Sequence, residues 1–180
     1  MQFDPEQARK DIETATQRAR AFQAYAAAGP VIAVWGLVWI VTNLAKVLAP
    51  SQAAVIGSAA MLVGIAASIA GGLLARRSSR PRPPLKSALG GATFAGLLVA
   101  VLAVAGPADM QAASAVVGLI VAAAYVFVGL MTGARIAWLG LALGLVVLAA
   151  WFGARPAFDL ILALAGGGLL AGTGLWLWRQ

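Results

Sequence analysis

The chain contains no cysteine and no histidine. Without cysteine there is no disulfide framework, no thiol nucleophile and no thiolate metal site. Without histidine the commonest metal ligand and the usual general base are gone. Charge is scarce as well. Asp, Glu, Lys and Arg make up 11% of the 180 residues, where a soluble domain carries about 25%. Residues 1–28 mix acids and bases and hold no apolar core of the secretory kind, so no signal peptide is expected. No pair of carboxylates is spaced for acid/base work at a buried site. The expectation is a protein that is not an enzyme, with no catalytic residue, no cofactor and no metal.

What the chain has in quantity is apolar surface. Hydrophobic residues make up 62% and the mean hydropathy is +0.90, a membrane composition. The fold class expected is all-α: a polytopic membrane protein of six transmembrane helices arranged as three hairpins, preceded by a cytoplasmic N-terminal helix. The spans fall at about 31–48, 52–74, 87–106, 110–131, 136–152 and 157–177. Each approaches the 17–25 residues that a hydrocarbon core of about 30 Å requires. Pro50, Pro107 and Pro156 sit in the three turns on one side. The domains are then residues 1–29, an amphipathic helix, and residues 30–180, the bundle.

Orientation follows from the basic residues. Residues 75–86 hold Arg76, Arg77, Arg80, Arg82 and Lys86 between two apolar runs. Loops rich in Lys and Arg stay on the cytoplasmic side during insertion. That choice also places the four basic residues of the N-terminal helix, Arg135 and Arg179 inside, leaving only Lys46 and Arg155 outside. Both termini are therefore expected in the cytoplasm, in a bacterial cytoplasmic (inner) membrane. The net charge of +7 is then a topology and lipid signal, with the five loop residues as contacts for anionic headgroups and no nucleic acid as partner. Trp138, Trp176 and Trp178 fall at the inner interface and Trp151 at the outer one, as interfacial anchors.

Residues 4–28 read as a helix opened by Asp4 and Pro5. Ala8, Ile12, Ala15, Ala19, Phe22 and Ala26 make one apolar stripe at spacings of four and three. The stripe either lies on the bundle or membrane surface, or docks a partner helix or a second copy, with Ile12 and Phe22 as anchors. Gly29-Pro30 is expected to end or kink this helix.

Within the spans, small residues recur every four positions: Ala60, Gly64, Ser68 and Gly72 in the second, Gly140 and Gly144 in the fifth, Ala163, Gly167 and Ala171 in the sixth. Such faces let helices approach closely in lipid, within one bundle or in a homo-oligomer. The glycine-rich spans, the proline near each outer turn and the repeated hairpins resemble the HdeD-type family of small six-span bacterial membrane proteins, mainly over residues 88–175 and most clearly over 139–175. The resemblance implies an envelope or stress-related membrane protein and carries no site residues with it. The N-terminal helix and the Trp-Gly-x-x-Trp beginning at Trp35 depart from that pattern.

No ionisable residue lies in the middle of a span. Asp109 and Asp159 stand at helix starts and are expected to cap them. Lys46 is expected to snorkel to the interface. The one intramembrane polar face is Trp35, Trp39 and Asn43 at i, i+4 and i+8. It is read either as interhelical glue, with Trp39 and Asn43 bonding to Ser58, Ser68, Thr93 or Tyr125, or as the wall of a pocket. Two functional readings follow: a scaffold or regulator working through the N-terminal helix and the basic loop, or a small-solute transporter or channel lined by Asn43, Ser58, Ser68, Thr93 and Thr132.

Overall fold

The computed structural model describes residues 5–78 and 84–179, and among them every regular element is helical. α1 runs Pro5–Leu48, α2 Ala53–Ser78, α3 Pro84–Ala105, α4 Met110–Thr132 and α5 Ala134–Gly153. The last stretch is composite. A 3-10 turn at Arg155–Ala157 leads into α6, Phe158–Ile161, then a wide π-type segment at Leu162–Gly167, then α7, Gly168–Trp178. Five stretches are long and apolar enough to cross a membrane: Ala28–Leu48, Ala53–Leu73, Met110–Met131, Ala134–Gly153 and Arg155–Trp178. In α3 the apolar part among the described residues is the shorter Gly96–Ala105.

The helix boundary expected at Gly29-Pro30 does not exist. α1 passes through Pro30 as one helix of 44 residues. Proline removes one backbone donor, but the residues around it are held from outside. A methyl group placed on Gly29 would lie 2.7 Å from the backbone nitrogen of Trp178, and Ala33 meets Gly174 in the same way. Packing on both sides of the proline supports a continuous helix through the lost bond, as neighbours do in membrane helices.

The helices do not pair most closely as three successive hairpins. The two tightest pairings are α1 with the last span, and α4 with α5. Both are antiparallel. In the first, Gly29 and Gly36 face Gly174 and Gly167; a methyl on Gly36 would stand 2.8 Å from the carbonyl oxygen of Gly167. In the second, a methyl on Gly140 would stand 2.6 Å from the carbonyl of Ala122, and Gly129 abuts Ala137. Backbone lies on backbone at these points because no side chain intervenes. α2 packs on the other face of α1, and α3 makes only a light contact with α4.

Between the two tight pairs lies the core. Leu139, Leu143 and Val147 of α5 meet Leu162, Leu170, Leu177 and Phe158 of the last span. Trp39 of α1 packs against both parts of this layer. Outside it the surface is apolar: Leu48, Val55, Val104, Leu130 and Phe152 are each at least 73% exposed, as expected of helices solvated by hydrocarbon rather than water.

Candidate functional site

Two opposite ends of the bundle matter here: the turn end, with the loops after Leu48, Ala105 and Gly153, and the arm end, from which the first half of α1 extends. The polar groups gather at the turn end. Lys46 comes from the last turn of α1 and Asp159 from the start of α6. Lys46 Nζ donates to Asp159 Oδ1 at 3.2 Å, to Asn43 Oδ1 at 3.1 Å and to Ser114 Oγ at 2.7 Å. Gln111 Nε2 donates to Asp159 Oδ2 at 3.0 Å. Asn43 is 5% exposed, and its amide nitrogen donates to the Trp39 carbonyl at 2.9 Å. Ser114 Oγ donates back to the Met110 carbonyl at 2.9 Å.

This cluster satisfies its members. The ammonium has three donors and three acceptors, and each carboxylate oxygen of Asp159 accepts a bond. Lys46 and Asp159 side chains are only 21% and 13% exposed, so the pair is screened less than a surface pair. The cluster joins α1, α4 and α6. It corrects one expectation. Asp159 makes no cap bond; its carboxylate is taken up by Lys46 and Gln111. The Lys46 ammonium is held by Asp159, Asn43 and Ser114.

Asp109 behaves as expected. It caps α4, accepting from the Ala112 amide at 2.6 Å. Arg155 Nη2 donates to its other oxygen at 2.9 Å, while the guanidinium lies 4.2 Å from the centre of the Trp151 ring. The Ala112 hydrogen bond, with the Arg155 charge beside it, holds the Asp109 carboxyl below its ordinary value. Trp151 in turn meets Phe158 edge to face at 5.7 Å.

The arm end is closed differently. Arg135 of α5 lies 5.6 Å from the Tyr25 ring centre and 4.8 Å from that of Trp176. The ring faces carry partial negative charge, so the cation is held between α1 and α7. The Tyr25 hydroxyl fits against Gly133, whose φ of 154° and missing side chain leave the space.

The polar face expected on α1 divides. Trp35 Nε1 donates to Ser68 Oγ at 2.9 Å, and Ser68 passes the bond to the Gly64 carbonyl at 2.8 Å. Trp39 instead lies against Gly118 and Gly166, and Asn43 belongs to the Lys46 cluster. The serine therefore serves Trp35, not Trp39 or Asn43. Thr42 Oγ1 is buried without a partner. Of the residues expected to line a solute path, Ser58 and Thr93 are exposed on separate helices and Ser68 is used by Trp35. Ile12 is 67% exposed. The side chains of Phe22, Arg76, Arg77, Lys86 and Thr132, and Arg80 and Arg82 altogether, lie outside the described residues.

Sequence reading missed the Lys46–Asp159 pair and the Arg135 cage. The usable signal for the first was two opposite charges at helix ends that the turn prolines put on the same side. No protein-family model matches the chain, and neither does any curated protein or solved structure.

Proposed function

We propose that the protein is a non-enzymatic integral membrane scaffold or regulator of the bacterial cytoplasmic membrane, with envelope or stress-related work as the resemblance to the HdeD-type proteins implies. In this reading α3 is also a span, the third of six in chain order, both termini are cytoplasmic, and the basic stretch 75–86 lies on the cytoplasmic side. The distribution of Lys and Arg supports that orientation. Arg76, Arg77, Arg80, Arg82 and Lys86 touch anionic headgroups. The first half of α1 is the working part.

The observation that carries the reading is the unbroken course of α1 from Pro5 to Leu48. Only Ala28–Leu48 is apolar enough to lie in the membrane. At about 1.5 Å per residue, residues 5–27 reach about 35 Å beyond it. A broken or flexible joint would leave a tethered segment; a continuous helix makes the arm a rigid extension of the bundle. Glu6, Arg9, Asp11, Ile12 and Thr16 are exposed along it, and an exposed isoleucine on such a rod is an anchor for a partner helix. The residues proposed for a solute path are dispersed, so the transport reading has no comparable support.

The test is crosslinked purification from native membranes with three forms: full length, Ile12→Asp, and a chain lacking residues 2–24. The expected result is a protein held by the full-length form and lost from both others. The same set of proteins with all three forms overturns the scaffold reading.

A further inference from the structure

The spacing of glycines divides the bundle into two bodies. Within the α1–last-span pair, a methyl on Gly167 would meet the Gly36 carbonyl at 2.9 Å and the Ile40 nitrogen at 3.0 Å; within the α4–α5 pair, one on Gly140 would meet the Ala122 carbonyl and the Val126 nitrogen at 2.6 Å. Side chains crowd the same points, Ile40 Cγ1 at 2.6 Å and Val126 Cγ2 at 2.9 Å, but the backbone contacts cannot yield without moving a whole helix. The glycines facing across the seam are different. Gly118 meets Val147 of its own half at 3.0 Å and the tip of Trp39 across the seam at 3.3 Å, and Gly166 meets Trp39 at 3.4 Å and Leu143 at 3.6 Å. All of these are side-chain atoms, which can turn aside. α1 reaches α4 and α5 through side chains: Trp39 on Gly118, Lys46 on Ser114, Tyr25 against Arg135.

Polar closures join the two bodies at both ends of the seam: at the turn end a half-buried cluster beside the exposed Arg155–Asp109 pair, at the arm end a cation held on two rings. At the turn end Lys46 and Asp159 of the first body hold Ser114 and Gln111 of the second. At the arm end Arg135 of the second body sits on Tyr25 and Trp176 of the first. A layer of side chains can repack between discrete arrangements where interlocked backbones cannot.

We propose that the bundle works as two rigid halves, α1 with the last span and α4 with α5, that rock across the Trp39 layer, with the Lys46–Asp159 cluster and the Arg135 cage as alternate latches. Opening the turn-end latch tilts the first half about the intact arm-end cage, and opening the cage does the reverse. Rigid-body rocking of this kind is an established way for membrane bundles to couple their two faces. Because α1 belongs to the first half, the tilt also moves its arm. The inference goes beyond the scaffold reading and stands without it: it concerns distances inside the bundle, whereas that reading concerns capture by the arm.

The absence of native cysteine lets the test use the full chain in lipid nanodiscs with cysteine-attached spin labels. Leu48 with Met110 reports the turn end across the seam, and Met131 with Trp178 the arm end across it. Leu48 with Leu160 and Met131 with Trp138 report within each half. The expected result for Asp159→Asn is a second, longer population for Leu48–Met110, with the arm-end pair and both within-half pairs unchanged. For Arg135→Gln only Met131–Trp178 lengthens. Gln111→Leu, which removes one bond of the latch and keeps the ion pair, gives a smaller turn-end population. Within-half distances that broaden along with the others would show general loosening and overturn the proposal. So would cross-seam distances that ignore all three variants.

Discussion

α1 has two glycine-rich neighbours, and it meets them in different ways. Against the last span, Gly29 and Gly36 oppose Gly174 and Gly167, and the backbones touch. Against α2, the glycines are all on the partner. Gly57, Gly64 and Gly71 form notches for Thr42, Trp35 with Val38, and Val31. The glycines recur at intervals of seven on all these faces, the repeat that keeps one seam in register along two helices. What differs is the object facing each glycine. Where it is backbone, the glycine fixes how close two helices lie. Where it is a side chain, the glycine makes room for a residue that can turn aside.

The largest effect is therefore expected at Gly36. Gly36→Ala puts a methyl 2.8 Å from the Gly167 carbonyl and 2.7 Å from the Ala171 Cα, so two helices must separate. Overpacking typically costs about 1–3 kcal/mol; against backbone the upper end is expected, read as a large fall of the unfolding midpoint in mixed detergent–SDS micelles. Gly64→Ala, seven residues from both other α2 notches, meets only Trp35 and Val38 side-chain atoms at 3.2 Å. Its cost is expected below about 1 kcal/mol. Equal midpoints for the two variants would erase the distinction between the faces.

A step smaller is Ser68→Ala. It removes the acceptor of Trp35 Nε1 at 2.9 Å without adding volume. Bonds between membrane helices average about 0.6 kcal/mol, and a loss near that value is expected in the same titration. Ser68→Thr keeps the hydroxyl and should recover it. A loss as large as that at Gly36 would mean that α2 is held by this bond rather than by the notches.

The pattern of spans was legible because hydropathy and turn prolines are local properties. Five of the six expected stretches reappear as helices fit to cross a membrane. The pairing was not legible, and the reason is physical. In an Ala- and Gly-rich chain, spacings of four occur on many faces, and only the partner decides which face is used. Gly72 was placed on the α2 seam with Gly64, yet it is exposed with nothing near it, while Gly71 beside it takes Val31. Lys46 and Asp159 are 113 residues apart, and their partnership depends on α1 pairing with the last span, which no local signal announces. Pro30 misled for the same reason: the rule describes an isolated helix, and this one is braced by α7.

The corner between α4 and the start of the last span gives a further, weaker test, because its closure is polar and exposed. Asp109 has its carboxyl held below the ordinary value by the Ala112 amide and Arg155. A depressed carboxyl contributes stability that is complete above its unfolded value, near 3.8, and that fades as pH falls through the lower folded value. The midpoint of unfolding should thus be flat from neutral pH down to about 4 and fall below it. Asp109→Asn should flatten that acid limb while keeping part of the cap, since Asn also caps helices. An unchanged acid limb in the variant would assign the fall to other carboxylates.

The smallest effect is expected at Gly172. It lies in α7 between Ala171 and Thr173, one residue from a backbone weld, yet it is exposed, and a methyl there would meet nothing within 4 Å. Gly72 in α2 is the same. If a glycine matters only through what faces it, Gly172→Ala should leave the midpoint unchanged or raise it slightly, because alanine is the better helix former. The neighbouring Ala171 provides the contrast, since its backbone carries the contact with Gly36. A clear loss at Gly172, in a chain whose Gly72→Ala variant is neutral, would mean that the outer face of the last span is covered in the membrane by another helix. The rule drawn from α1 would then extend to a contact between chains.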